Sequence, residues 1–300
     1  MVEDTKNVIH KSVLVQEVLH HLDLKPGGVY LDATFGSGGH TRAILQAEPD
    51  CHVVAMDWDS KSIDTYGPEF LEEFPGRITF IWGNFSLVYK LLKKHGVKKL
   101  DGILADFGTS QMQIVQRPGF SVYRDTPLDM RMSSAHQKVT AEQILHEASE
   151  EELREIFWRY GNERYAKQIA RAIVIDRTKK RFKTTEQFAK MIERVVPYDK
   201  SRKIHPATRV FQALRICVNK ELENITSFLN ASMQLLKPQG RLVVISFHSL
   251  EDRLVKQFFS GRAKDGKVQI LTPNVIVAQK EETERNPSSR SAKLRAVKFL

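Results

Sequence analysis

Cysteine is scarce: only Cys51 and Cys217 occur in 300 residues, far apart and in mixed polar–apolar surroundings. That argues against a disulfide framework or a thiolate zinc site, and the thiols read as reduced and mostly buried. Long apolar runs are missing as well. None approaches the ~18 residues a membrane span needs. The opening MVEDTKNVIHKSVLV carries acids and no apolar stretch, so neither a secretory signal nor a transit peptide is expected. No internal repeat or low-complexity segment interrupts the chain. A cytoplasmic protein with no membrane contact and no metal is the expectation.

With 41% hydrophobic and 27% charged residues, the chain has ample material for one large or two moderate domains. Its net charge of +10 is unevenly placed. Residues 159–203 hold fourteen Lys and Arg against five acids, which is nearly all of the excess. The last sixteen residues, RNPSSRSAKLRAVKFL, add five basic groups and no acid. Clustering of this kind is the footprint of a polyanion partner, weighed against an ordinary solvated helix face.

Residues 29–107 alternate short apolar runs (VYLDAT, CHVVAMD, RITFIWG, LDGILADFG) with helical stretches such as GHTRAILQAE and SLVYKLLKKHG. That is the pattern of βαβ units around a parallel sheet. From about Gln113 to Pro206 helix signals take over. Thr140-x-x-Gln143 and Ser149-x-x-Glu152 are capping boxes. Leu153, Ile156, Phe157 and Tyr160 then share one face, as do Phe188, Met191, Ile192, Val195 and Val196 before Pro197. One long helical pattern from Thr208 to Leu236 leads through a Lys-Pro-x-Gly turn into the strand-like LVVIS. The expected fold is α/β and Rossmann-like: residues 1–113 and 207–300 form the α/β domain, and 114–206 a helical insertion.

The turn Gly36-Ser37-Gly38-Gly39-His40-Thr41 follows a strand and opens a helix, yet it lacks the third glycine of a dinucleotide fingerprint. Asp32, four residues before Gly36, would repel a pyrophosphate and suits a cation. S-adenosylmethionine offers a sulfonium and an ammonium, and no phosphate. The second strand ends at Asp57, placed for ribose hydroxyls; the third leads into Phe85, for an adenine face or for the core; the fourth ends at Asp106. Singly these acids read as caps or turn residues. Three at the ends of the first, second and fourth strands, around a glycine turn, favour an adenosyl-cofactor methyltransferase over a dehydrogenase. The (Asp/Asn)-Pro-Pro-aromatic signature of many amino-group methyltransferases is absent, so the residues leave the substrate at nucleic acid.

Longer blocks extend the comparison. DATFGSGGH, GFSVYRDTPLDMRM, HPATRVFQALRI, VVISFHSLEDRLVKQFF and NPSSRSAKLRA together resemble the bacterial 16S ribosomal RNA cytosine-N(4) methyltransferase family, almost end to end. The resemblance implies methyl transfer from S-adenosylmethionine to the exocyclic amine of a decoding-centre cytidine, with the helical insertion serving substrate recognition. It implies cofactor contacts at Gly38, Gly39, His40, Asp57, Phe85, Asp106 and Gln113, beside Asp32 and Gly36 from the spacing. Two departures stand out. The family's Asp-Leu-Gly-Val-Ser-Ser-x-Gln reads Asp106-Phe107-Gly108-Thr109-Ser110-Gln111-Met112-Gln113, and the following loop, with Arg117-Pro118-Gly119, is a residue short.

The target nitrogen's lone pair is delocalised into its ring, so acceptors must hold its hydrogens and orient it. Asp106, Ser110 and the Ser246/His248/Ser249 cluster are the candidates, His248 having a capping role as its alternative. Arg131 is a candidate phosphate clamp or a partner for Asp129. Phe120 and Tyr123 are candidate platforms for a base drawn from its stack. Lys179, Lys180, Arg181 and Lys183 form the densest basic patch. The expected partner is 16S rRNA in the small subunit or its precursor, with a homodimer left open. A non-catalytic RNA-binding assembly factor with a retained cofactor fold is the rival reading; the intact Asp32, Gly36, Gly38 and Asp57 set argues against it.

Overall fold

The computed structural model describes residues 11–107, 117–197, 199, 201 and 204–300. It opens with α1 (Val15–Leu22), β1 (Val29–Asp32), α2 (Gly39–Ala47), β2 (His52–Asp57), α3 (Ser60–Glu73), β3 (Ile78–Trp82), α4 (Val88–Lys94) and β4 (Leu100–Asp106). Helices follow: α5 (Ala141–Glu147), α6 (Glu150–Gly161), α7 (Ala166–Arg177), α8 (Thr185–Val195), α9 (Thr208–Asn219) and α10 (Glu221–Leu235). The chain closes with β5 (Leu236–Ser246), α11 (Ser249–Lys264), β6 (Val268–Ile270), β7 (Ile276–Val277), α12 (Lys280–Arg285) and β8 (Lys293–Phe299). It divides into two compact units, Met1–Ser110 with Leu222–Leu300, and Gln111–Glu221.

In the first unit β1 to β5 run parallel in the order β3-β2-β1-β4-β5. Strand neighbours alternate faces. Leu31, Val54, Met56, Ile103 and Val244 pack with Val88 and Leu92 of α4, Phe228 of α10 and Phe259 of α11. Tyr30, Val53, Ala55, Leu104 and Val243 pack with Val18 of α1, Ile44 of α2 and Phe70 of α3. Both faces are therefore covered, which is why the strands read as unbroken apolar runs rather than alternating ones. Each Val, Leu, Ile, Met or Phe among them, removed from water, stabilises by about 1.5–3 kcal/mol. Because the strands are parallel, their carboxyl ends gather at one edge, where Asp32, Asp57 and Asp106 are the last residues of β1, β2 and β4.

The C-terminal segment, read from sequence for its charge, belongs to the sheet. It forms β8, inserted between β5 and β6 and antiparallel to both. Leu294, Ala296 and Val297 are fully buried, and Arg295 gives its guanidinium to Asp252 at 2.7 Å. Part of the basic character of this tail is thus consumed inside the fold. The Lys-Pro-x-Gly turn sits differently from expectation: Leu236 already pairs with Leu100, and the ladder resumes at Arg241 with Gln239 at φ 68°. It is a bulge within β5, not a turn before it.

The second unit is helical. Both capping boxes form, Thr140 with Gln143 and Ser149 with Glu152. Helix α8 stops before Pro197, with Val196 extended (φ −87°, ψ 124°), as the residue preceding a proline prefers. Leu153, Phe157, Phe188, Met191 and Ile192 share one core with Leu128 and Met130 of the PLDMRM block and with Phe211 and Leu214 of α9. That packing carries this unit to Glu221 rather than to 206. The expected single helix from 208 to 236 breaks at Lys220, in the left-handed region at φ 51°. Buried Asn219 just before it accepts from Met132 N at 2.7 Å and donates to Met130 O at 2.8 Å. Among the described residues no helix is long and apolar enough to cross a membrane.

Candidate functional site

Asp32, at the end of β1, is 1% exposed. Its oxygens accept from Thr41 Oγ1 at 2.7 Å and from the Thr34 amide at 3.1 Å. Burial pushes its carboxyl above the usual range, with nearby His40 and the Thr41 bond acting in the opposite sense. A carboxylate so enclosed braces the glycine turn. Asp32 is expected to meet a cofactor cation; the structure places it under the glycine turn, where Thr34 and Thr41 are its hydrogen-bond partners. Thr34 extends the brace: its hydroxyl accepts from the Asp106 amide at 2.7 Å, tying the end of β1 to the end of β4.

The glycines of the turn have different reasons to be glycine. At Gly38 (φ 82°) a Cβ would stand 2.3 Å from the Phe70 ring, and at Gly39 it would stand 2.2 Å from Ser12 Oγ. Both are required by packing on the protein side. Gly36 (φ 57°) would meet nothing nearer than Thr34 O at 3.9 Å, so its Cα borders open space. His40, 5% exposed, has Nε2 2.8 Å from Val13 O. Its side chain anchors the preceding segment, and the first-turn amides of α2 lack partners within the helix, as at any helix start.

Asp57 lies across the turn from β2. Its Oδ2 accepts from Gly36 N at 2.6 Å and its Oδ1 from Asp59 N at 2.7 Å. Burial raises its carboxyl to about 6, against the pull of those two amides. At 7% exposure it is less solvated than a strand-end acid is expected to be. Each oxygen retains a further lone pair for a hydroxyl. Phe85 is half-buried, its ring 5.5 Å from that of Phe107 and 5.6 Å from that of Phe228, so core packing and an exposed edge coexist in it. Asp106 is half-buried at the same edge, and Phe107 N bonds Ile245 O, bringing the end of β5 alongside. Ser110 and Gln113 lie outside the described residues.

His248 caps α11. Its Nδ1 accepts from Glu251 N at 3.4 Å, while Glu251 Oε2 accepts from Phe247 N at 2.8 Å and His248 N at 3.2 Å. Its Nε2 stands 3.1 Å from Glu251 Oε1. The capping alternative is the one the structure displays. Ser246 is 2% exposed, its hydroxyl 3.4 Å from Lys293 O, whereas Ser249 is exposed.

In the helical unit Arg131 grips Asp129 through Nε–Oδ1 at 2.6 Å and Nη2–Oδ2 at 2.8 Å. Burial lifts the Asp129 carboxyl, and the Arg131 bonds outweigh it, leaving it below its ordinary range. Of the two alternatives, the pairing with Asp129 is present. Lys179, Lys180, Arg181 and Lys183 are exposed between α7 and α8, and among the described residues Arg181 pairs with Glu142 at 3.5 Å. Tyr123 is 78% exposed and stands edge-on to His205, while Phe120 is half-buried against the helical core. Thr34, Thr41 and Glu251 escaped the sequence reading. Hydroxyls beside a strand-end acid, and an acid three residues after a strand-to-helix junction, were the available signals.

A family model described as the MraW methylase family matches residues 7–300. Three curated relatives share the name ribosomal RNA small subunit methyltransferase H. That of Ehrlichia chaffeensis is 43% identical over 296 residues, covering 96% of this chain and 99% of the relative. That of Bradyrhizobium diazoefficiens is 44% identical over 303 residues, covering 96% and 91%. That of a Cyanothece species is 46% identical over 293 residues, covering 97% and 95%.

Proposed function

The chain belongs to the MraW methylase family, and from that premise we propose that it transfers a methyl group from S-adenosylmethionine to the N(4) amine of a cytidine in 16S rRNA. The substrate particle is the small ribosomal subunit or its precursor, in keeping with the names of the relatives. The observation that carries the chemistry is the Gly36–Asp57 hydrogen bond at 2.6 Å. It ties the glycine turn to a carboxylate, an arrangement that repels a pyrophosphate and suits ribose hydroxyls beside a cation. The open side of Gly36 leaves room for that ligand.

When bound, S-adenosylmethionine supplies an electrophilic methyl group on a sulfonium. Asp57 holds the ribose hydroxyls, Phe85 borders the adenine, and the α2 amides meet the carboxylate of the amino-acid end. Asp106, with its backbone fixed by Thr34, accepts the hydrogens of the target amine and turns the nitrogen lone pair toward the methyl. No strong base is needed beforehand: the amine proton becomes acidic only as the N–C bond forms and the methyl–sulfur bond breaks, leaving the neutral thioether, and Asp106 would receive that proton, with Ser110 a second candidate acceptor and Gln113 a candidate cofactor contact. Orientation of this kind supplies most of the rate. The basic loop Lys179–Lys183 holds the RNA backbone. The test is mass analysis of 16S rRNA incubated with labelled cofactor. A methyl on a cytidine base is expected; tight RNA binding without transfer would return the assembly-factor reading.

A further inference from the structure

A second basic surface lies in the α/β unit. From Phe74 to Leu100 the chain has no acid, and from Lys90 to Lys99 it has five lysines. Lys90, Lys93, Lys94 and Lys98 are exposed, and among the described residues none of them carries an ion pair. Lys99 differs: its Nζ donates to Gln234 O at 3.1 Å and Leu236 O at 3.3 Å, bracing the start of β5. The last turn of α4 accounts for Lys93 and Lys94, since cations favour a helix C-terminus. It does not account for Lys90 a turn earlier or for Lys98 beyond the helix.

Their spacing is unfavourable by itself. Lys90 stands three and four residues before Lys93 and Lys94, so like charges face one another along the helix. Tyr89, 44% exposed, precedes Lys93 by four residues and shares its side. Lysines held against their mutual repulsion beside an accessible aromatic ring suit a polyanion that also offers flat bases. The patch leads into the first residue of β4, whereas Asp106 ends that strand. Seven residues of strand separate the two by about 20 Å.

We propose that Lys90, Lys93, Lys94 and Lys98 form a sequence-independent docking surface for an RNA backbone, remote from the methyl-transfer edge. It rests on the reading that the protein acts on small-subunit rRNA, and holds a segment of that RNA away from the target cytidine. The contacts are to phosphates, so they add affinity without selecting a base.

The test titrates a 16S rRNA transcript at several salt concentrations against the wild-type protein and a variant with all four lysines changed to Glu. A Lys→Gln set serves should the Glu variant not fold. Affinity is expected to fall tenfold or more at low salt, and the salt slope to flatten by about 0.7–0.9 per lost phosphate contact. S-adenosylmethionine affinity should stay unchanged. A variant with the wild-type slope overturns the proposal, as does a loss confined to phosphatidylserine vesicles with RNA binding intact. The functional reading fails separately: a wild-type protein that transfers no methyl to the RNA refutes it, whatever the slope of the lysine variant.

Discussion

Asp57 faces two demands that move its proton in opposite directions. Burial raises its carboxyl to about 6, from an ordinary value of 3.8. The folded chain therefore binds more protons than the unfolded chain between those values. Stability is greatest below pH 4 on this account and declines as pH rises through 6, by about 3 kcal/mol. Ribose binding runs the other way, because the ionised carboxylate is the stronger acceptor. Cofactor affinity is accordingly expected to rise from pH 5 to pH 7 while thermal stability falls, measured by calorimetry and melting over the same buffers. Asp57→Asn should weaken the cofactor by about 2–3 kcal/mol and flatten this pH dependence. Unchanged affinity in the folded variant removes Asp57 from the site. Alanine is the poorer probe, since it leaves the Gly36 and Asp59 amides without their acceptor. That Asp57 lies at the carboxyl edge of the sheet was legible from its place at the end of an apolar run. That it is nearly sealed was not, because enclosure depends on the turn folding over it.

At the level of single elements, the start of α11 shows how one helix end can resemble a catalytic cluster. Ser246, His248 and Ser249 sit together in sequence, yet His248 and Glu251 are reciprocal caps. Glu251 is 1% exposed and serves two backbone amides. Glu251→Ala should cost about 1–3 kcal/mol, the desolvation of groups left unpaired, read as a lower denaturant midpoint. His248→Asn retains a good N-cap residue and is expected to keep both the fold and most single-turnover activity at saturating cofactor. A hundredfold rate loss with an unchanged melting temperature would make His248 a proton acceptor after all. The capping boxes of α5 and α6 were readable because their Thr/Ser and Gln/Glu lie three residues apart. This one was hidden by a histidine in the cap position.

Charge acts at the scale of the whole molecule. Lys179, Lys180, Arg181 and Lys183 belong to the helical unit, and Asp32, Gly36, Asp57 and Asp106 to the other. Reversing the four cations to Glu should weaken RNA binding and reduce the salt slope by about 0.7–0.9 per lost phosphate contact, while S-adenosylmethionine affinity hardly moves. Equilibrium binding at several ionic strengths checks both, and a preserved slope assigns the patch to ordinary solvation. Arg181, near Glu142, is expected to contribute least of the four. The C-terminal basics are a poorer choice for such an experiment, because Arg295 is already matched by Asp252.

What the amino-acid order determined by itself is local. Apolar runs ending in Asp, the glycine turn, the capping boxes and the stop before Pro197 all follow from groups a few residues apart. The parallel α/β core and its helical insertion were visible for that reason. Tertiary structure alone decided the rest. It placed β8 between β5 and β6, since strand order is set by pairing across long separations, and it ended the helical unit at Glu221 because α9 buries Phe211 and Leu214 against α6 and α8. It also enclosed Asp32 under the glycine turn: burial depends on what packs over a strand end, and Thr41 meets this carboxylate only once strand and helix have packed.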